Sequence, residues 1–287
     1  MKPLPLWGSA ARVLLILSAT LLSGWVHGAS VDGVAKINRL MEASGINHSV
    51  KQVLPGMLGS FDEAQQQEPV PMHVRAAMRD AATQGFQTGP MLEKVRAKLS
   101  ALSDKQIDDT LSWLDTPLGR RITELENAAN DADSMPKIQA YAAELEKRPA
   151  PAARMRLIRE LNRVTGAQEM MNNIMEAVLL ATALGVNAAQ PKAQQSPPEA
   201  LRKQIKSSMP ELQKQTAQFV NATLLYTYRS LADKELESYI EFSRSASGAA
   251  YNKSATAGMS DALLEAIGRF MTAIPKAMER TKGVVGA

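Results

Sequence analysis

Leu102-Ser-Asp-Lys-Gln-Ile107, followed after five residues by Trp113-Leu114-Asp115-Thr116-Pro117-Leu118-Gly119, decides the fold. Ser103 with Gln106 three residues on is a capping-box pattern, and Ile107, Leu111 and Leu114 fall on one helical face. A helix is predicted to start at Ser103. Pro117 cannot donate to a continuing ladder, but it suits the first turn of a new helix with Thr116 as the cap. The layout returns 129 positions later, without a gap, from Leu231 to Ala255. There Asp233 is expected to cap, Leu236, Ile240 and Phe242 supply the apolar bulk, and Ser245 to Gly248 replaces the Thr-Pro-Leu-Gly turn.

A second echo lies upstream. Val34, Ile37, Leu40 and Met41 form a helical stripe ending at Gly45, a residue suited to the left-handed position after a helix. Val50, Val53, Leu54, Met57 and Leu58 continue beyond it. Ile158, Leu161, Gly166, Met171, Ile174, Met175, Val178 and Leu179 repeat this pattern 121 positions later. Two offsets that differ by eight require extra residues in the second copy, and Asn187 to Pro198, rich in Gln, Pro and Ala, is the place for them.

The segments between read as further helices. A polar loop is expected over Ser60 to Pro71, then helices at His73 to Gln84, Met91 to Leu102 and Met135 to Lys147. Arg148-Pro149-Ala150-Pro151 forbids a continuous helix and marks the seam. Glu199 to Ser208, Leu212 to Leu231 and Met259 to Arg280 are helical, and Ala177 to Val186, apolar nearly all round, is expected as a buried core helix. The reading is an all-α, multi-helix bundle of two tandem related repeats, 29–148 and 153–287.

The first 28 residues have the layout of a secretory signal. Lys2 and Arg12 precede an apolar run from Val13 to Trp25, and Val26-His27-Gly28 offers small residues for cleavage after Gly28. That run would reach only about 20 Å as a helix, short of a bilayer core of roughly 30 Å, so no permanent membrane span is expected after cleavage. With no cysteine there is neither a disulfide framework nor a lipid-attachment thiol. Cleavage removes only two charged residues and lowers the net charge from +4 to +2. So slight a balance gives little steering toward a polyanion, and nucleic acid is not an expected partner.

At Leu224-Leu225-Tyr226-Thr227-Tyr228, Leu231-Ala232-Asp233-Lys234-Glu235-Leu236 and Phe242-Ser243-Arg244-Ser245-Ala246-Ser247-Gly248 the chain resembles a bacterial family of exported proteins, domain of unknown function 2059. The family's mark is an acidic helix start, an aromatic, then Ser/Thr-Pro-x-Gly. The first copy keeps Thr116-Pro117-Leu118-Gly119, whereas the second has Ala246 in place of the proline. The matches together cover less than half of the chain. The resemblance implies an all-helical fold and a periplasmic or secreted protein, and it carries over no reaction and no catalytic residue.

Chemistry-bearing patterns are sparse. Beyond the signal only His48 and His73 remain as imidazoles, without thiolates, so no metal or cofactor is expected. Asp131 and Asp133 suit a helix start better than a calcium loop. Gly258-Met259-Ser260-Asp261-Ala262 lacks the second glycine and the preceding strand of a nucleophile elbow. Asp104, Asp108, Asp109, Glu124, Glu126, Asp233, Glu235, Glu237 and Glu241 are numerous enough for acid and base work, but the helix dipole accounts for Asp104 and Asp233, and the set reads as a solvated face.

Two surfaces are candidates for binding. Arg156, Arg159 and Arg163 make one basic stripe able to meet anionic lipid or another polyanion. Met170, Met171 and Met175 make an apolar stripe that could line an adaptable groove, while the matching positions in the first copy make core packing its default reading. The sequence therefore reads as a non-enzymatic binding or scaffold module of the bacterial envelope, its partner an envelope protein or a lipid. A second reading is a carrier of an apolar or lipid ligand in a Met-lined groove between helices. A third, a carboxylate-dependent hydrolase, requires two acidic side chains in one concave pocket.

Overall fold

Two glycines set the first bend of each half. The structure, a computed structural model, describes residues 31–284 other than 68, 189 and 190, and the signal-like segment lies outside the described residues. Helix α1 (Val31–Ala43) passes into α2 (Ile46–Gln67) at Gly45, with φ at 72°, and α8 (Ala152–Thr165) passes into α9 (Ala167–Ala188) at Gly166, with φ at 60°. A residue with a Cβ pays roughly 1–2 kcal/mol in this left-handed region, so glycine belongs at both bends. In each half a side chain from much later in the sequence closes the end of the first helix. Thr123 Oγ1 donates to the Ala43 carbonyl at 3.2 Å, and Asn252 Nδ2, 129 positions on, donates to the Val164 carbonyl at 3.4 Å.

The remaining helices are α3 (Met72–Gly85), α4 (Thr88–Leu99), α5 (Asp104–Leu114), α6 (Pro117–Asn130) and α7 (Ser134–Lys147), then α10 (Pro198–Thr227), α11 (Asp233–Arg244) and α12 (Ala246–Val284). Among the described residues there is no strand. The α5 capping box forms as its sequence requires: Ser103 Oγ accepts from Gln106 N, and Gln106 Oε1 accepts from Ser103 N at 2.9 Å. The two turns that follow are alike. Thr116 Oγ1 accepts from Gly119 N and Ser245 Oγ from Gly248 N, each at 3.0 Å. Asp233 does not cap α11, because the residue with extended backbone at that start is Ala232. Alanine has no oxygen to offer, so only half of a capping box survives, in which Ala232 N–H donates to Glu235 Oε2 at 2.7 Å. The Asp233 carboxylate instead receives Arg154 Nη1 at 2.8 Å.

Three expectations about helix length and burial are corrected. Helix α2 runs to Gln67 and absorbs most of the expected loop, although Pro55 lies inside it. Helix α10 is continuous through Pro210, where a break was expected between Ser208 and Leu212. A proline frees the carbonyl four residues earlier, and Lys51 and Lys206, the residues concerned, are exposed, so water can take those carbonyls. Ala177 to Leu184 are helical but only half-buried, so the apolar end of α9 is a wall at the edge of the core rather than a core helix.

Packing joins the halves. Helix α12 lies along α3, α4 and α5 of the first half, and α10 packs on α9 and α8 of its own half and on α7 of the other. One core results: Leu40, Met41, Met91, Leu99 and Ile122 belong to the same buried cluster as Ile158, Leu161, Met170, Met171 and Leu236. The seam at 148–152 divides the sequence without dividing that core. Trp113 and Phe242, 129 positions apart, stack on each other with centroids 4.1 Å apart and planes 7° apart. The α1–α5 and α8–α11 contacts carry ion pairs at matching positions with the charges exchanged. Arg39 Nη2 donates to Asp115 at 2.6 Å, whereas Glu160, 121 positions after Arg39, accepts from Arg244, 129 positions after Asp115.

Candidate apolar binding groove

Four helices and one interhelical link surround an apolar groove of about 290 Å³. Met57 and Phe61 come from α2, Met78 from α3, Phe86 from the α3–α4 link, Ile174, Val178, Ala181 and Thr182 from α9, and Leu263, Ile267, Phe270, Met271 and Ile274 from α12. The spacing in each helix is the three-to-four-residue step that puts side chains on one face. Phe86, Ile174 and Leu263 are 2–3% exposed, so the groove floor is the core itself. Phe270 stands between the walls, its ring 6.3 Å from Phe61 and 5.9 Å from Phe86. Small side chains let the walls close beneath it: Ala77 and Ala81 of α3 meet Ala273 and Ala277 of α12 in a second buried cluster.

Among the described residues the groove has no charged lining residue, and its only polar side chain is that of Thr182. Neighbouring charges are held by one another. Asp62 receives Arg75 at 2.7 Å and Arg79 at 2.9 Å, which together hold its carboxyl below the ordinary range. Glu265 is likewise lowered, first by Lys94.

The sequence candidates lie elsewhere. Met170 and Met171 are 1% and 2% exposed and belong to the core, so they cannot line an open surface; Met175 is half-buried against the same core. The groove starts further along the same helix, and its methionines are Met57, Met78 and Met271. Arg156, Arg159 and Arg163 do share an exposed face of α8. Arg163, however, is held by Glu160 at 2.5 Å, and Glu160 also takes Arg244; the hydrogen bond from Arg163 is the main reason that its carboxyl falls to about 2. The stripe therefore offers Arg156 and Arg159 as its uncommitted cations.

Four of the nine candidate carboxylates are engaged on the surface. Asp108 pairs with Lys36, Asp109 with Lys105 and Ser247, Asp233 with Arg154 and Glu235 with Arg121. Glu126 differs from the other eight in being buried. It is 8% exposed on α6, and a single oxygen, Oε1, accepts from Tyr228 Oη at 2.6 Å and from Tyr239 Oη at 3.0 Å. Among the described residues no cation reaches it, and burial pushes its carboxyl up to about 7 against the smaller pull of the two hydroxyls. Burial, followed by the charge of Glu126, keeps both tyrosines well above their ordinary range. The positions that match this cluster at the 129-residue offset are Leu99, Thr110 and Ala255, all buried and none of them ionisable.

The geometry defines an all-α protein with a core-floored apolar groove and a separate buried carboxyl cluster. Compared with known proteins, the chain matches no family profile, no curated protein and no solved structure.

Proposed function

We propose that the protein is a helical binding module of the bacterial envelope that holds an apolar ligand in the groove between α2, α3, α9 and α12. One observation carries this reading: thirteen side chains from both halves converge on an open space, and twelve of them are apolar. Leaving such a surface to water is costly at about 25 cal/mol per Å² of apolar area, and concave apolar sites with few polar groups are the usual form of small-molecule sites. Export rests on the signal-like residues 1–28 and on the resemblance noted above. The equal lengths of α2 and α9, the paired glycine bends and the exchanged ion pairs support descent of the two halves from one duplicated unit.

The test is native mass spectrometry of the full chain purified without detergent. A co-purifying apolar adduct is expected on the wild type and absent from Ala181→Trp, in which an indole fills the groove. Thermal unfolding of the variant checks that it remains folded, and Ala181→Phe is the smaller replacement should it not. An adduct retained equally by both folded proteins, or no uptake of any apolar compound added in excess, contradicts the proposal.

A further inference from the structure

We propose that the ligand is a neutral, single-chain molecule with one hydrogen-bonding group, a long-chain alcohol being the simplest example, and that this group is read by Thr182. The inference rests on the apolar-ligand reading above and narrows it. Three observations lead there.

The first is shape. The α12 wall from Leu263 to Ile274 is eleven residue steps long, about 16 Å at 1.5 Å per residue. On the scale by which an apolar cavity of about 150 Å³ takes one benzene ring, there is room for roughly a dozen non-hydrogen atoms. Two acyl chains do not fit.

The second is charge. Among the described residues no lysine, arginine or histidine lines the groove, and the cations beside it, Arg75, Arg79, Lys94 and Arg269, are bonded to Asp62 or Glu265. A carboxylate brought into this space would lose its water and meet no uncompensated cation, since even Arg269, whose Nη2 has no hydrogen-bond partner, is neutralised by Glu265, and this disfavours a fatty-acid anion.

The third is Thr182 itself. Threonines inside these helices commonly turn their hydroxyl back onto the carbonyl four residues earlier, as Thr83, Thr110, Thr165, Thr216, Thr227 and Thr272 do at 2.7–3.0 Å. No such bond from Thr182 to Val178 is formed, and the hydroxyl has no protein partner among the described residues. A free hydroxyl, able to donate and to accept, thus sits on an otherwise apolar wall.

The experiment is displacement of a neutral fluorescent probe, N-phenyl-1-naphthylamine, from the full chain at pH 8 by 1-decanol or by decanoate. Decanol is expected to displace at a concentration about tenfold or more below that of decanoate. Thr182→Val should weaken decanol about tenfold, the worth of one good hydrogen bond, and leave the affinity for the probe within about twofold, while Thr182→Ser restores decanol. Decanoate displacing as well as decanol, or Thr182→Val leaving decanol unchanged, overturns the inference while the groove reading stands. Failure of the wild type to bind the probe at all overturns both.

Discussion

Glu126→Gln should be more stable than the wild type at pH 8, by about 3 kcal/mol, and equal to it at pH 4. The expectation follows from the buried carboxyl. Its folded-state value is raised from 4.5 to about 7, chiefly by loss of water. Below 4.5 the carboxyl holds its proton whether the chain is folded or not, and it adds no pH dependence. Between 4.5 and about 7 the unfolded chain releases the proton while the folded chain keeps it, so stability falls as pH rises through this window and levels off above it. Each tenfold step in proton affinity is worth about 1.4 kcal/mol, which sets the size. Glutamine keeps the oxygen that Tyr228 and Tyr239 address and cannot ionise. Urea unfolding of both proteins from pH 4 to pH 8 measures the difference, in which every other titrating group cancels. Parallel profiles would mean that the carboxyl ionises in the folded protein as readily as in water. Tyr228→Phe provides the complement: with one donor gone, the carboxyl should rise further and the window should extend above pH 7.

Gly248→Ala should be among the most damaging substitutions in the chain, costing about 3 kcal/mol or more. A Cβ there would lie 2.0 Å from the Phe242 carbonyl oxygen, and at Gly119 one would lie 2.3 Å from the Trp113 carbonyl oxygen. Both contacts are with backbone of the preceding helix, which cannot move aside without opening the turn and pulling apart the Trp113–Phe242 stack. Gly268 in α12 is the control. Nothing lies within 4 Å of its virtual Cβ, and alanine there should stabilise by about 0.5–1 kcal/mol through helix propensity alone. Thermal unfolding of the alanine variants at Gly248, Gly119 and Gly268 orders them; a mild Gly248→Ala would show that the turn is not the tight element described.

The helices were legible where local chemistry writes them. Ser103, Thr116 with Pro117, and the glycines at 45 and 166 each satisfy a backbone requirement within a few residues, and the structure uses all of them in the expected roles. Asp233 misled because an acidic residue at a helix start suits both the cap and the first turn, and only the backbone angles of Ala232 decide between them. The long α10 and α12 were hidden by Pro210 and by the turn-like Ser245 to Gly248, since a proline's cost depends on whether water reaches the carbonyl that it frees.

The groove was not legible at all. Its lining comes from stretches near residues 57, 78, 178 and 270, and no local pattern says which apolar faces will meet. The stripe at Met170, Met171 and Met175 was visible as apolar, but helix crossing directs it into the core and turns Ile174 and Val178 toward the groove. Glu126 did leave a trace: it stands four residues after Ile122 and three before Ala129, on the buried stripe of α6 rather than its solvated face.

An apolar ligand sits in the groove between α2, α3, α9 and α12 if the proposed function is right, and the methionines report that place. With ¹³C-methyl methionine labelling, titration of the full chain with 1-decanol should shift the methyl resonances of Met57, Met78 and Met271 and leave those of Met170 and Met171 unmoved. Shifts centred on Met170 and Met171, or no shift at any methionine at saturating ligand, would contradict it.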